Sequence, residues 1–347
     1  MAKKIKIGSS IIEPGSIVSV QLPLPGLYTQ SKVFMPVQVL HGEKSGPTLF
    51  VSAAIHGDEI NGIEIIRRVL KFKALKKIVG TLIAIPVVNI YGLINHSRYL
   101  PDRRDLNRSF PGSPKGSLAA RLADLFLNEI VKKCDYGIDI HTGSWHRINL
   151  PQIRACMDDK KTRRIAKAFG APVILNSNIR DGSLRQSVND LGIPMLLYEG
   201  GEALRFDELA IRAGVRGVLN IMRELKMIPG MSFKPKKNSL ISKKTYWVRA
   251  NVSGILRTIR RLGSHVKKGE TLGVISDPFG MAEEKVTAIV SGVIIGKSNL
   301  PVVNAGEALY HIAKFREDQE IQDAMNTFHE ELNPEEQQGI LGEPPIV

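Results

Sequence analysis

The chain has 347 residues, 43% hydrophobic and 24% charged, with a formal net charge of +14. This composition excludes a disordered or fibrous protein, and the length leaves room for one large folded domain beside a smaller one. Two cysteines, Cys134 and Cys156, exclude a disulfide framework or CxxC metal knuckle and favour a reducing compartment, and no apolar stretch approaches the length of a membrane span.

The charge is unevenly distributed. Residues 316–347 hold one basic and nine acidic side chains, which leaves 47 basic and 25 acidic residues in the body, a net of +22. A positive field of that kind gathers anionic substrates. Aromatic residues make up 6% and none interleaves with the Lys/Arg clusters, so nucleic acid is not an expected partner. Residues 1–10 carry three lysines but no apolar core of signal-peptide length follows, so a cytoplasmic location without membrane attachment is expected.

In chain order, residues 48–55 form a short apolar run that ends at His56. Residues 60–70 then repeat apolar side chains at helical spacing through Ile63, Ile66, Val69 and Leu70, which predicts strand, loop and helix. Residues 81–88 read as a second buried strand, and residues 118–131 as an amphipathic helix started by Ser117. Residues 137–141 and 194–199 are short apolar runs that each end on an ionisable residue. Strands alternating with helices imply a largely parallel sheet covered on both faces, with its site at the carboxyl ends of the strands. His56, His141 and Glu199 all fall there.

Around residues 230–244 the texture turns to Pro, Lys, Asn and Ser without periodicity, which marks a linker. An internal near-repeat follows: Val252-Ser253-Gly254-Ile255 leads to Gly269-Glu270, and Val290-Ser291-Gly292-Val293 leads to Gly306-Glu307. This all-β module resembles the barrel-sandwich hybrid of biotinyl and lipoyl carrier domains. The position that bears the modified lysine in such carriers falls near Met281, and Lys285 is displaced from it. The module therefore reads as a structural part, shaping a site entrance or an oligomer contact. The expected organisation is a hydrolase domain over 1–238, the β module over 239–315 and a flexible acidic tail over 316–347 containing Pro334, Pro344 and Pro345.

The chemistry concentrates in four segments. His56 and Glu59, two residues apart, reach one ion from a loop that enters a helix, and zinc accepts imidazole and carboxylate ligands together. His141 is the best third ligand, since it ends a strand and is followed by small residues, and Asp139 is a candidate partner for its other ring nitrogen. His41, His96, His265, His311 and His329 lack any partner pattern and read as surface or core residues; His146 is a candidate substrate contact. Glu199, delivered into the glycine-rich Gly200-Gly201, suits a group that moves a proton to and from water and a leaving amine. The segment from Arg98 to Gly112 carries four arginines; its Asn107-Arg108 pair suits a substrate carboxylate and a further arginine suits an oxyanion.

The ordered set HGDE, RDLNRSFPG, DIHTG and LLYEGGE, spread over residues 46 to 225, resembles the succinylglutamate desuccinylase and aspartoacylase family, relatives of the zinc carboxypeptidases. The resemblance implies a three-layer α/β/α domain around a mixed sheet. It further implies one zinc ion per chain on His56, Glu59 and His141, Glu199 as general base and acid, and Asn107 with Arg108 on the substrate's carboxylate. For the oxyanion arginine the chain offers Arg98, Arg103 and Arg104; the Arg-Tyr pair favours Arg98, and Arg104 fits a shorter spacing. Arg180 and Arg185 lie in a loop suited to an acidic acyl group. The expected activity is hydrolysis of the amide bond of an N-acyl amino acid, with a peptidase acting on short acidic peptides as the alternative. A homo-oligomer and a non-enzymatic carrier role for the β module are the remaining readings.

Overall fold

The computed structural model describes residues 2–177, 181–231, 239–315 and 321–332. A small hairpin, β1 (Ile5–Ile7) and β2 (Ser10–Ile12), precedes β3 (Ser16–Leu24), β4 (Val33–His41) and β5 (Lys44–Ala53). Then come α1 (Asn61–Leu70), β6 (Val79–Ile85), α2 (Ile90–Ile94), α3 (Leu118–Glu129), β7 (Tyr136–Gly143) and β8 (Arg147–Ala155). The domain continues through α4 (Lys160–Phe169), β9 (Val173–Asn176), α5 (Leu184–Asp190), β10 (Met195–Glu202) and α6 (Glu208–Glu224). Ser117 caps α3, its hydroxyl accepting the Ala120 N–H at 3.3 Å, as its place before the apolar run predicts.

Strands β10, β7, β5 and β6 lie side by side and parallel. Their periodicity is that of buried strands: Leu49, Val51 and Ala53 of β5 pack toward one face and Phe50 toward the other. Helices α1, α4 and α6 cover the first face through Ile65, Ile165 and Val218, and α3 and α5 cover the second through Phe126 and Val188. The layers are therefore α/β/α. The sheet is mixed, as the family resemblance implies, and only its centre matches the largely parallel sheet inferred from the alternation of elements. β4 is antiparallel to both β6 and β3, and β8 is antiparallel to β10. β3 and β4 have no helix between them, and their alternating buried and open positions suit an antiparallel edge.

The C-terminal module comprises β11 (Leu240–Ser242), β12 (Lys244–Arg249), β13 (Gly254–Thr258), β14 (His265–Val266), β15 (Thr271–Ser276), β16 (Glu283–Thr287), β17 (Gly292–Ser298), β18 (Val302–Val303) and β19 (Ala308–Lys314). Of the linker read over 230–244, residues 232–238 lie outside those described, and its later part includes β11, paired parallel with β9. The near-repeat is visible in the backbone. Gly254 opens β13 and Gly292 opens β17, while Gly269 and Gly306 turn at φ 85° and 83°, a conformation that favours glycine. Glu270 and Glu307, one residue later, accept the N–H of the residue three before each of them.

Strands β16, β15, β13 and β18 form a separate antiparallel sheet over a core that includes Leu272, Ile294 and Tyr310. β12, β19 and β17 do something else: β17 pairs antiparallel with the first half of β8, so these strands extend the sheet of the larger domain.

Part of the acidic tail read as flexible over 316–347 is helical: Ile321–Glu331 forms helix α7, while residues 316–320 and 333–347 lie outside those described. Ile321, Ala324, Met325, Phe328 and Leu332 are buried along it, an apolar stripe at helical spacing that outweighs the surrounding acidic residues. Phe328 and Leu332 join the core beneath α6, and the Arg216 guanidinium lies over the Phe328 ring at 5.9 Å while pairing with Glu331 at 3.3 Å. No described helix is long and apolar enough to cross a membrane.

Because Phe328 is packed as a core residue, Phe328→Ala should destabilise the whole fold by about 3 kcal/mol. A urea titration that gave unchanged stability would show that α7 does not dock.

Candidate metal and active site

The site assembles at the carboxyl ends of β5, β7 and β10. After β5 the chain bends at Ala54, whose φ of 51° lies in the left-handed region, and the Ala54 carbonyl accepts the Asn89 N–H at 2.9 Å. The loop then runs so close to the segment at Gly92 that a Cβ on Gly57 would stand 1.9 Å from the Gly92 carbonyl carbon. Glycine at 57 therefore lets His56 and Glu59 converge before α1 begins. Asn61 at the start of α1 donates to the Gly200 carbonyl at 3.1 Å and accepts the Asp207 N–H at 3.1 Å, which fixes this loop against the end of β10.

Glu59 is 2% exposed and lies between two imidazoles: His56 Nδ1 stands 2.7 Å from one carboxylate oxygen and His141 Nδ1 2.8 Å from the other. The other ring nitrogens face carboxylates as well. His56 Nε2 lies 3.1 Å from Asp105 and His141 Nε2 2.6 Å from Asp139, which also accepts the Ser52 hydroxyl at 2.8 Å. Both rings are thus oriented with Nε2 toward an aspartate and Nδ1 toward a common point. Candidate ligand atoms of His56, Glu59 and His141 all lie within 4.8 Å of one another. Two imidazole nitrogens and a carboxylate oxygen, each held by a further acceptor or donor, are a donor set that fits zinc.

The electrostatics agree with a cation-binding centre. Burial alone would lower the pKa of His56, but the Glu59 and Asp105 carboxylates raise it above the usual histidine value. His141 is likewise opposed by burial and raised well above that value by Asp139 and Glu59. Burial favours the neutral form of Glu59, yet the two histidines hold its pKa well below the carboxylate range. The carboxylates thus favour positive charge on the two rings, and the rings favour negative charge on Glu59.

Glu199 sits in register with His141 across the parallel β10–β7 pair. Its carboxylate accepts the Asn149 amide at 2.7 Å and lies 3.4 Å from Arg154 Nε. Arg98 enters from the loop after α2, donating to Asp105 at 2.9 Å with its Nη1 3.5 Å from Glu59. Of the three arginines considered for an oxyanion, Arg98 lines the cavity; Arg103 and Arg104 are exposed and do not. Asp105 caps the short helical turn of the next residues by accepting the Asn107 N–H at 2.8 Å. Asn107 and Arg108 line the cavity beside Ser183. The Asn107 side-chain oxygen accepts the Leu184 N–H at 2.9 Å, which leaves its amide NH2 as the group available to a ligand.

The cavity around these residues has a volume of about 550 Å³. Seven cationic side chains line it, Arg98, Arg108, Arg147, Arg154, Arg185, Arg249 and Lys297, against the carboxylates of Glu59, Asp139 and Glu199. Arg185 reaches Ser177 at 2.7 Å; Arg180 lies outside the described residues. His146 does not line the cavity, whereas His311 does. The far wall comes from the C-terminal module: Thr245, Trp247 and Arg249 of β12, Lys297 of β17, and Ala308 and His311 of β19. Trp247 and His311, paired in register, stack at 4.3 Å with a 4° interplanar angle, and the Arg147 guanidinium lies 5.5 Å above the indole. Asp105 lies inside the RDLNRSFPG segment, but its contact with His56 is not legible there; Asn149, Arg154 and this wall have no signature in the linear motifs, because each depends on contacts between distant strands.

The Succinylglutamate desuccinylase/Aspartoacylase catalytic domain model matches residues 45–225, just over half of the chain. The N-alpha-acetyl-L-2,4-diaminobutyric acid deacetylase of Halomonas elongata is 28% identical over 298 residues, which span 81% of this chain and 86% of the relative. A succinylglutamate desuccinylase/aspartoacylase from Rhodobacter sphaeroides superposes with a TM-score of 0.77 at 25% identity, covering 87% of this chain and 95% of its own. The product-bound ectoine utilization protein EutE (DoeB) from Ruegeria pomeroyi shares the fold at a TM-score of 0.77 and 23% identity, covering 86% and 95% respectively.

His311 generates a prediction about stability. Burial, reinforced by the Arg154 guanidinium, pushes its pKa down to about 3. In the unfolded chain a histidine takes up its proton near 6.5, so between these values the unfolded state binds a proton that the folded state refuses. The contribution is full above pH 6.5 and is lost as the pH falls toward 3, on the order of 5 kcal/mol in total. His311→Phe keeps a ring against Trp247 and removes the titration. Its urea midpoint should fall less steeply with acidification from neutral pH than that of the parent protein, and equal slopes would refute the assignment.

Proposed function

The chain belongs to the succinylglutamate desuccinylase/aspartoacylase family, and we propose that it is a zinc-dependent deacylase releasing an amino acid from its N-acyl group. The chain is a hydrolase of the amide bonds of acyl amino acids, the chemistry named for its family and its Halomonas relative. The observation that carries the finer reading is the meeting of the His56, Glu59 and His141 ligand atoms within 4.8 Å, with Glu199 in register beside His141 at the edge of a cation-lined cavity.

His56 and His141 would hold the ion through Nδ1, and Glu59 through its carboxylate. When bound there, zinc supplies a Lewis acid that polarises a carbonyl and makes water acidic near neutral pH. Asp139 and Asp105 accept the Nε2 protons and so keep the Nδ1 lone pairs free. Asn107 and Arg108 take the substrate's carboxylate, and the fork of a guanidinium suits its two oxygens. Glu199 removes a proton from the attacking water, whose oxygen bonds to the carbonyl carbon. Arg98 donates to the oxygen on which negative charge develops. The C–N bond then breaks, and Glu199 passes its proton to the departing amine nitrogen. Asn149 holds the Glu199 carboxylate in place for both transfers.

Glu199→Gln should keep about one zinc per chain by elemental analysis while kcat on N-acyl amino acids falls by about 10²–10⁴; a variant that retained turnover would remove Glu199 from this role. Asp139→Asn should weaken zinc binding by about 10- to 100-fold in a chelator competition, since the His141 ring loses its charged acceptor. Unchanged affinity would mean that Asp139 does not tune the centre.

A further inference from the structure

Gly296 lies buried in β17, and a glycine inside a strand weakens it unless its small size is needed. Its φ is outside the left-handed region, so neither its own backbone nor the bulge between Ile294 and Gly296 calls for glycine. The reason lies across the strand pair. Gly296 is in register with Asn149 on β8, and a Cβ built on it would stand 2.9 Å from Asn149 Oδ1. The same Asn149 side chain donates from Nδ2 to the Glu199 carboxylate at 2.7 Å. A methyl group at 296 has little room on its other side, where the His311 Cβ would be 3.4 Å away. A Cβ is fixed to the backbone, whereas the end of an asparagine side chain can rotate. The group that gives way is therefore the Asn149 amide, and its hydrogen bond to Glu199 goes with it.

We infer that Gly296 is a positioning residue: the space it leaves lets the C-terminal module seat the Asn149 amide and, through it, aim the Glu199 carboxylate. This rests on the deacylase reading with Glu199 as its base, and extends the machinery to a residue that does not line the cavity. The module then acts on the reaction from behind β8 as well as through the wall it presents to the cavity. Displacing a reacting group by a fraction of its contact distance is enough to cost one to two orders of magnitude in rate.

The test is a double-mutant cycle on the zinc-loaded enzyme, using whichever of N-acetylalanine, N-acetylglutamate and N-acetyl-2,4-diaminobutyrate it hydrolyses fastest. Gly296→Ala should lower kcat by about 10- to 100-fold with KM, zinc content and urea midpoint close to the parent's. Asn149→Ala should match that loss, and adding Gly296→Ala to it should cost nothing further, because the hydrogen bond is already gone. Full kcat in Gly296→Ala, or losses that multiply in the double variant, overturns the positioning role and leaves the deacylase standing. A loss of kcat that comes with a lowered urea midpoint or lost zinc marks plain overpacking and overturns it too. A crystal structure of Gly296→Ala reads the geometry without activity: Asn149 should have turned out of reach of Glu199, and an intact contact refutes the inference. If none of the three substrates is hydrolysed but Asn149 has turned away, the coupling from Gly296 to Asn149 stands and the deacylase reading fails.

Discussion

A buried carboxylate between two imidazoles is the interaction on which the rest of this molecule depends. Glu59 has left water, a costly transfer unless its charge is met, and what meets it are His56 and His141. Those rings are in turn backed by Asp105 and Asp139, and Arg98 contributes one positive charge. With neutral imidazoles, three carboxylates against one guanidinium leave two negative charges. Two protons on the rings can balance them, as the raised histidine pKa values express, and so can one divalent cation. Binding such an ion and releasing the ring protons are then a single event, and the aspartates decide which nitrogen keeps a proton.

That centre imposes its demands on the backbone around it. The loop after β5 must turn sharply at Ala54 and pass Gly92 with no side chain at position 57. The parallel register of β7 and β10 sets Glu199 opposite His141, and Asn61 bridges both sides. The same registers continue outward. Glu199 pairs with Gln152 on β8, Asn149 with Gly296 on β17, Gly296 with His311 on β19, and His311 with Trp247 on β12. The wall opposite the His56, Glu59 and His141 cluster is thus reached by strand pairing, which places side chains more rigidly than a mobile loop would.

How much of this could be read from the residues alone depended on how local each feature is. His56 and Glu59 lie within one turn of loop, and His141 and Glu199 end apolar runs, so strand-end logic found them. Asp105 stood inside an arginine-rich segment, and its role rests on a contact with His56 across 49 positions. Asn149 reaches Glu199 across 50 positions from a strand whose pattern is ordinary. Trp247, Lys297 and His311 were beyond reach, because a repeat identifies a β module without saying which of its edges docks where. Helix α7 was hidden for a different reason: its stripe of Ile321, Ala324, Met325, Phe328 and Leu332 is regular, but the acidic composition around it dominated the reading.

The docking edge also decides what the C-terminal module is for. A carrier domain must present its modified residue on a hairpin tip and travel between sites. Here the corresponding tip holds Phe279 and Met281, both largely exposed, and Lys285 lies within β16 paired with Val274. The opposite side of the module is joined to β8 by backbone hydrogen bonds, next to Asn149 and its contact with Glu199. Moving the module would break that strand pairing and take Trp247, Lys297 and His311 out of the cavity. A unit that must stay in place to complete the wall of the cavity cannot also serve as a swinging arm.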